Sequence, residues 1–161
     1  ELIATHLAQE GIEIIHSVRD NNSAKDDNPS ALAHEGWTKE VVNIVSACGG
    51  EYGCVVDVTG RGPFNWQTSV FSKCTSEASC LEQNRMYTHR TTGLYRQSGS
   101  TLPNPHWAPS PFRRTVRVVV VDPKRELRVI STVSYTSISG VTRNVEVSTV
   151  LYNWFPYLEM P

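Results

Sequence analysis

No stretch of this 161-residue sequence stays apolar for more than a few residues. A helix that crosses a bilayer needs roughly 20 such residues, so nothing here reads as a transmembrane segment. A charged-then-apolar export signal is missing too. Charge of one sign is also scarce, with 15 Lys and Arg against 16 Asp and Glu. That balance removes an overall pull toward nucleic acid or anionic lipid, although it leaves room for a local basic patch. Common enzyme signatures are absent as well: no G-x-S-x-G, no P-loop, no G-x-G-x-x-G, and no H-E-x-x-H after His34-Glu35.

What is present is the composition of a folded domain. Hydrophobic residues make up 39% and charged ones 19%, with four Trp and six Tyr, a composition that does not indicate disorder. The length predicts one domain over 1–161, able to bury its own core.

The first segment carries apolar residues at helical spacing: Ile3, Leu7, Ile14 and Val18, widened by Leu2, Ile12 and Ile15. The pattern predicts a helix over 1–20, without a capping residue ahead of it, as if it continued from an upstream part. Gly11 in its middle costs about 1 kcal/mol relative to Ala, and points to a close approach of another element or to simple tolerance. Asp20-Asn-Asn-Ser23 ends the periodicity. One to two further helical turns are expected over Thr38–Val45, and a short strand over Cys54–Thr59. Residues 60–111 read as loop, with short strands at Met86–Thr88 and Gly93–Arg96.

Beyond Pro111 the pattern becomes that of strands. Phe112–Asp122 is valine-rich. Glu126–Thr136 places Leu127, Val129, Val133 and Tyr135 on one face, and Thr142–Trp154 places Val145, Val147, Thr149 and Leu151 likewise. Short turns at Asp122–Arg125 and Ile138–Gly140 make these an antiparallel three-strand meander over 112–155. One face needs a cover, and the first helix is the amphipathic segment long enough to supply it. The expected class is α+β, a helix packed on an antiparallel sheet.

The four cysteines form two C-x5-C pairs, Cys48/Cys54 and Cys74/Cys80, separated by nineteen residues. Of the three possible pairings the local one is favoured. Gly49, Gly50 and Gly53 let the first loop close, and Thr-Ser-Glu-Ala-Ser suits an exposed stapled loop. Zinc prefers C-x2-4-C spacing and ranks below disulfides, as do free thiols. Disulfides imply an oxidising, extracytoplasmic location.

Other candidates are weaker. His6 and His16 lie about 15 Å apart along a helix, too far to share a metal. His34, His89 and His106 read as surface or hydrogen-bonded residues. Asp20, Asp26 and Asp27 lack the residue order of a calcium loop. Asn21-Asn22-Ser23 matches a glycosylation sequon. Arg85, Arg90, Arg96, Arg113 and Arg114 interleave with Tyr87, Tyr95 and Trp107, a mixture able to hold single-stranded nucleic acid. No catalytic residue, metal ligand or cofactor is nominated.

Leu7-Ala-Gln-Glu-Gly-Ile-Glu-Ile-Ile-His-Ser-Val-Arg-Asp-Asn-Asn22 resembles the second half of the N-terminal helix of the type IV pilin superfamily, most closely minor pilins of the PilV-like kind. Pro111–Arg117 and Leu151–Trp154 resemble that family's later strands. The likeness covers both ends of the chain, not the middle loops. It implies a prepilin whose leader is removed and whose processed end is methylated. A hydrophobic half-helix upstream of these residues would anchor it in the inner membrane before assembly. The implied function is a non-enzymatic structural subunit of a type IV pilus or secretion pseudopilus at the cell surface, with other pilin subunits as partners. Ile3, Leu7, Ile12, Glu13 and His16 would then contribute to assembly. The alternative is an extracellular binding module, an adhesin or DNA-binding pilus component, acting through residues 60–111, with Arg90, Arg96, Arg113 and Arg114 as contacts to a host ligand or DNA.

Overall fold

The structure, a computed structural model, describes residues 1–23, 35–57, 71–97, 106–123 and 125–153. Helix α1 (Leu2–Ser23) is followed by α2 (Glu35–Cys48), β1 (Cys54–Val56), β2 (Phe71–Lys73), α3 (Glu77–Gln83), β3 (Arg85–His89), β4 (Tyr95–Gln97), β5 (Trp107–Asp122), β6 (Glu126–Thr136) and β7 (Thr142–Tyr152). Among the described residues the strands form one seven-stranded sheet in which every pairing is antiparallel.

The sixteen-residue β5 is its spine. One edge of β5 pairs with β6 over Phe112–Asp122, and β6 continues to β7. The other edge is shared: β3 pairs with Trp107–Arg113, while β1 joins at Val116. The expected meander is therefore present, and β5 starts five residues before the predicted boundary. Those residues are the proline-bearing Trp107–Pro111. A proline lacks the N–H for a ladder bond, but Pro109 still stands in register opposite Tyr87.

Helix α1 buries one stripe on this sheet. Ala4, Leu7, Ala8, Ile12, Ile14, Ile15 and Val18 are all in the core. At about 1.5–3 kcal/mol for each fully buried Leu, Ile or Val, this stripe is a major share of the folding drive. Opposite it lie Phe112, Val116 and Val118 of β5, Leu127, Val129 and Val133 of β6, and Leu151 of β7. The inward phases read from the alternation of β6 and β7 are those observed.

At Gly11 the helix backbone comes close to the sheet. A Cβ there would lie 2.5 Å from Ser131 Oγ and 3.2 Å from both Arg114 Cδ and Val116 Cγ2. The close approach is the reason for the glycine.

Helix α2 extends the cover and is longer than the one to two turns expected. Its Ile44 and Cys48 join the same core as Ile12, Ile15 and Val118. The seven-residue α3 was not expected; its sequence reads as a stapled loop. Ser76 caps it by accepting from Ser79 N–H, and Ser79 returns a bond to the backbone of Ser76. It lies against the sheet face turned away from α1, where Val55, Cys74 and Cys80 form a small separate cluster.

Both disulfides join neighbours, Cys48 to Cys54 and Cys74 to Cys80. Gly53 has φ +66, a left-handed conformation, and a Cβ there would run into the Val116 carbonyl. The first disulfide ties the end of α2 to the start of β1, with both cysteines fully buried. Replacing Cys48 and Cys54 together by alanine is expected to cost about 2 kcal/mol, the chain-entropy value for so short a loop. A denaturant midpoint measured beside the parent, with m unchanged, checks it.

Candidate functional site

The structure separates the nominated residues into three environments. Along α1 the assembly candidates divide between its two sides. Ile3 and Glu13 are exposed and His16 is half-buried, whereas Leu7 and Ile12 are buried against the sheet. Ile12 therefore faces the sheet and is not available for the assembly contact expected of it. Its side chain packs in the core with Ile15, Val18 and Ile44. The stripe turned to solvent is Leu2, His6, Gln9, Glu13 and Asp20, with Ile3 beside it.

Arg114 likewise departs from the surface role expected of it. It is 1% exposed and points inward under α1, so it has no surface to offer a ligand. Alternation along β5 carries the signal: Arg114 shares its phase with Phe112, Val116 and Val118. Its guanidinium reaches four acceptors from three parts of the chain. Nη1 donates to the Leu7 carbonyl at 3.0 Å and pairs with Glu10 Oε2 at 3.1 Å. Nη2 donates to the Val56 carbonyl, and Nε to Gln97 Oε1. Gln97 Nε2 in turn donates to the backbone carbonyls of Asn84 and Arg114. Burial pulls the Arg114 ionisation below its ordinary value, and Glu10 opposes that pull. This network ties α1, β1, β4 and β5 together.

The third environment is the outer face of β3, β4 and the start of β5. Register sets Tyr87 opposite Arg96 and Pro109, and His89 opposite Trp107. Arg96 lies over the Trp107 ring at 4.2 Å, a cation–π contact. His89 meets Trp107 edge-on at 4.9 Å and stacks on His106 at 5.9 Å. Next to them Arg85 stands opposite Arg113. Arg113 donates to the Leu81 carbonyl and to Asn84 Oδ1, which anchors it to the end of α3. Partial burial and then the charge of Arg85 lower its ionisation, while Tyr87 raises it. Arg90 is exposed at the β3–β4 turn.

Of the interleaved set, Arg85, Arg96, Arg113, Tyr87 and Trp107 thus share one face. Tyr95 falls on the other, packed edge-on against Phe112. His89 and His106 are members that sequence reasoning set aside; the period-two phase of His89 with Arg85 and Tyr87 is the signal that places it there.

Among the described residues no group of three or more His, Cys, Asp or Glu could hold a metal ion. Asp26, Asp27 and His34 lie outside the described residues, while Asp20 pairs with Arg19 at 2.7 Å. No described helix is long and apolar enough to cross a membrane. Comparison with protein-family models, curated proteins and solved structures finds no match to this chain.

Proposed function

We propose that this protein is a non-enzymatic structural subunit, of the minor kind, of a type IV pilus or a related secretion pseudopilus. The observation that carries this reading is α1 itself. It runs 22 residues, about 33 Å at 1.5 Å per residue, with one stripe seated on the sheet and the other left open. Leu2 and Ile3, 72% and 47% exposed, put apolar surface at its first turn, where a monomer gains nothing from it. A rod half-embedded in its own head can repeat one contact between unlike surfaces of successive copies, and such a contact propagates as an open helix of subunits. Two short disulfides stiffen loops in the manner of a domain working in an oxidising space.

The reading is tested in the source organism with the full gene. Antibodies to this domain should label sheared surface filaments. The double substitution Ile3→Asp and Glu13→Arg should remove the protein from the filament fraction. Exposed positions such as these move stability by only about 0.5 kcal/mol, so the purified domain should melt as before. Filaments that never contain the protein, or that take up the double variant normally, would defeat the proposal.

A further inference from the structure

We propose that the outer face of β3, β4 and the first half of β5 is a platform for single-stranded nucleic acid. The inference goes beyond the filament reading and does not rest on it.

The first ground is charge. Residues 83–121 contain six arginines and neither Asp nor Glu, in a chain whose total is −1. Two of the six are spent elsewhere: Arg114 is buried inside, and Arg117 lies further along β5. Arg85, Arg90, Arg96 and Arg113 remain around one patch, with no carboxylate paired to any of them among the described residues. The second ground is Arg96. Its Nε and Nη2 are buried without a hydrogen-bond acceptor among the described residues, and the guanidinium lies over the Trp107 ring. A guanidinium held over an indole keeps a cation at a fixed place for an oxyanion.

The third ground separates a nucleic acid from a merely acidic polymer. Tyr87, His89, Trp107 and His106 are partly or fully accessible rings between those cations. Bases stack on such rings and on arginine planes whatever their sequence, while phosphates take the charge. The platform is also stiff. Arg113 is tied to α3, and the Gln97–Arg114 network fixes β4 and β5 from beneath. A prepared surface loses less entropy when it binds.

Fluorescence anisotropy tests this with a labelled oligothymidylate of about 12 nucleotides and an abasic phosphodiester strand of equal length and charge. The oligothymidylate should bind with log K falling against log salt at a slope near −2, for about three phosphates neutralised. It should bind at least about tenfold more tightly than the abasic strand, since stacking is worth that much per base. Substituting Arg85→Gln with Arg96→Gln should weaken binding about tenfold and flatten the slope. The matched pair Arg117→Gln and Arg128→Gln, exposed on the same sheet face farther along, should change it less than about twofold. Trp107→Ala should weaken the oligothymidylate alone, and Trp107→Phe should keep most of the affinity, which guards against a merely unfolded variant. The proposal is overturned by absence of binding at low salt, by equal weakening in the Arg117/Arg128 pair, or by an abasic strand that binds as well. That last result would leave a general polyanion surface.

Discussion

Replacing Arg114 by alanine is expected to cost about 3–5 kcal/mol, the loss seen when one partner of a buried charged network is removed. The arginine supplies donors to the carbonyls of Leu7 and Val56, to Gln97 Oε1 and to Glu10. Truncation leaves the buried acceptors among these without their donor and opens a side-chain-sized cavity between α1 and β5. The smaller change Glu10→Gln should cost far less. Glu10 is 41% exposed at its side chain, and water replaces much of what it gave. Arg114→Met fills the volume without the donors, so it should fall between the two. Urea titration of the three variants orders them. If Arg114→Ala loses less than about 1 kcal/mol, the network is not what joins the helix to the sheet.

The second large effect is at Gly11. On an open helix surface Gly11→Ala would add about 1 kcal/mol of stability through helix propensity. Here the opposite sign is expected, a net loss of about 1–3 kcal/mol, because the new methyl would stand 2.5 Å from Ser131 Oγ. Gly11→Leu should be worse still, about 3 kcal/mol or more, since Arg114 and Val116 close off the rest of the space. Ser131 makes the argument separable. Its hydroxyl is buried and has no hydrogen-bond partner among the described residues, so Ser131→Ala alone should be neutral or slightly stabilising. Combined with Gly11→Ala it should recover most of the loss, a coupling above about 1 kcal/mol in a double-mutant cycle. Additive effects would mean that the helix can lift away from the strand.

Both predictions act on the seam between α1 and the sheet, the feature that also leaves the opposite stripe of α1 free. Loss at this seam should show first as a looser helix. In a filament subunit that would weaken the presented rod before the sheet itself failed. The outer platform, on the other face, should be less sensitive to Gly11→Ala than to changes in α3, whose end holds Arg113.

The sequence by itself determined the parts governed by local periodicity. A period of 3.6 marked α1, and alternation marked β6 and β7 with their inward residues, because a helix or strand must turn its apolar side to one place. It also favoured the local cysteine partners that the structure contains, since five intervening residues can close a loop wherever the rest of the chain goes. Short elements escaped it. The Ser76–Ser79 capping box is written in small polar residues that suit a loop equally well, and α3 has too few turns for a periodic signal. Only the tertiary structure decided the order of β2, β1, β5, β3 and β4, because pairing between distant strands depends on packing that no local pattern encodes. It likewise decided the fates of the adjacent Arg113 and Arg114. The same charge is anchored at the surface in one and enclosed under a helix in the other, because successive strand residues face opposite ways and α1 covers one side of the sheet.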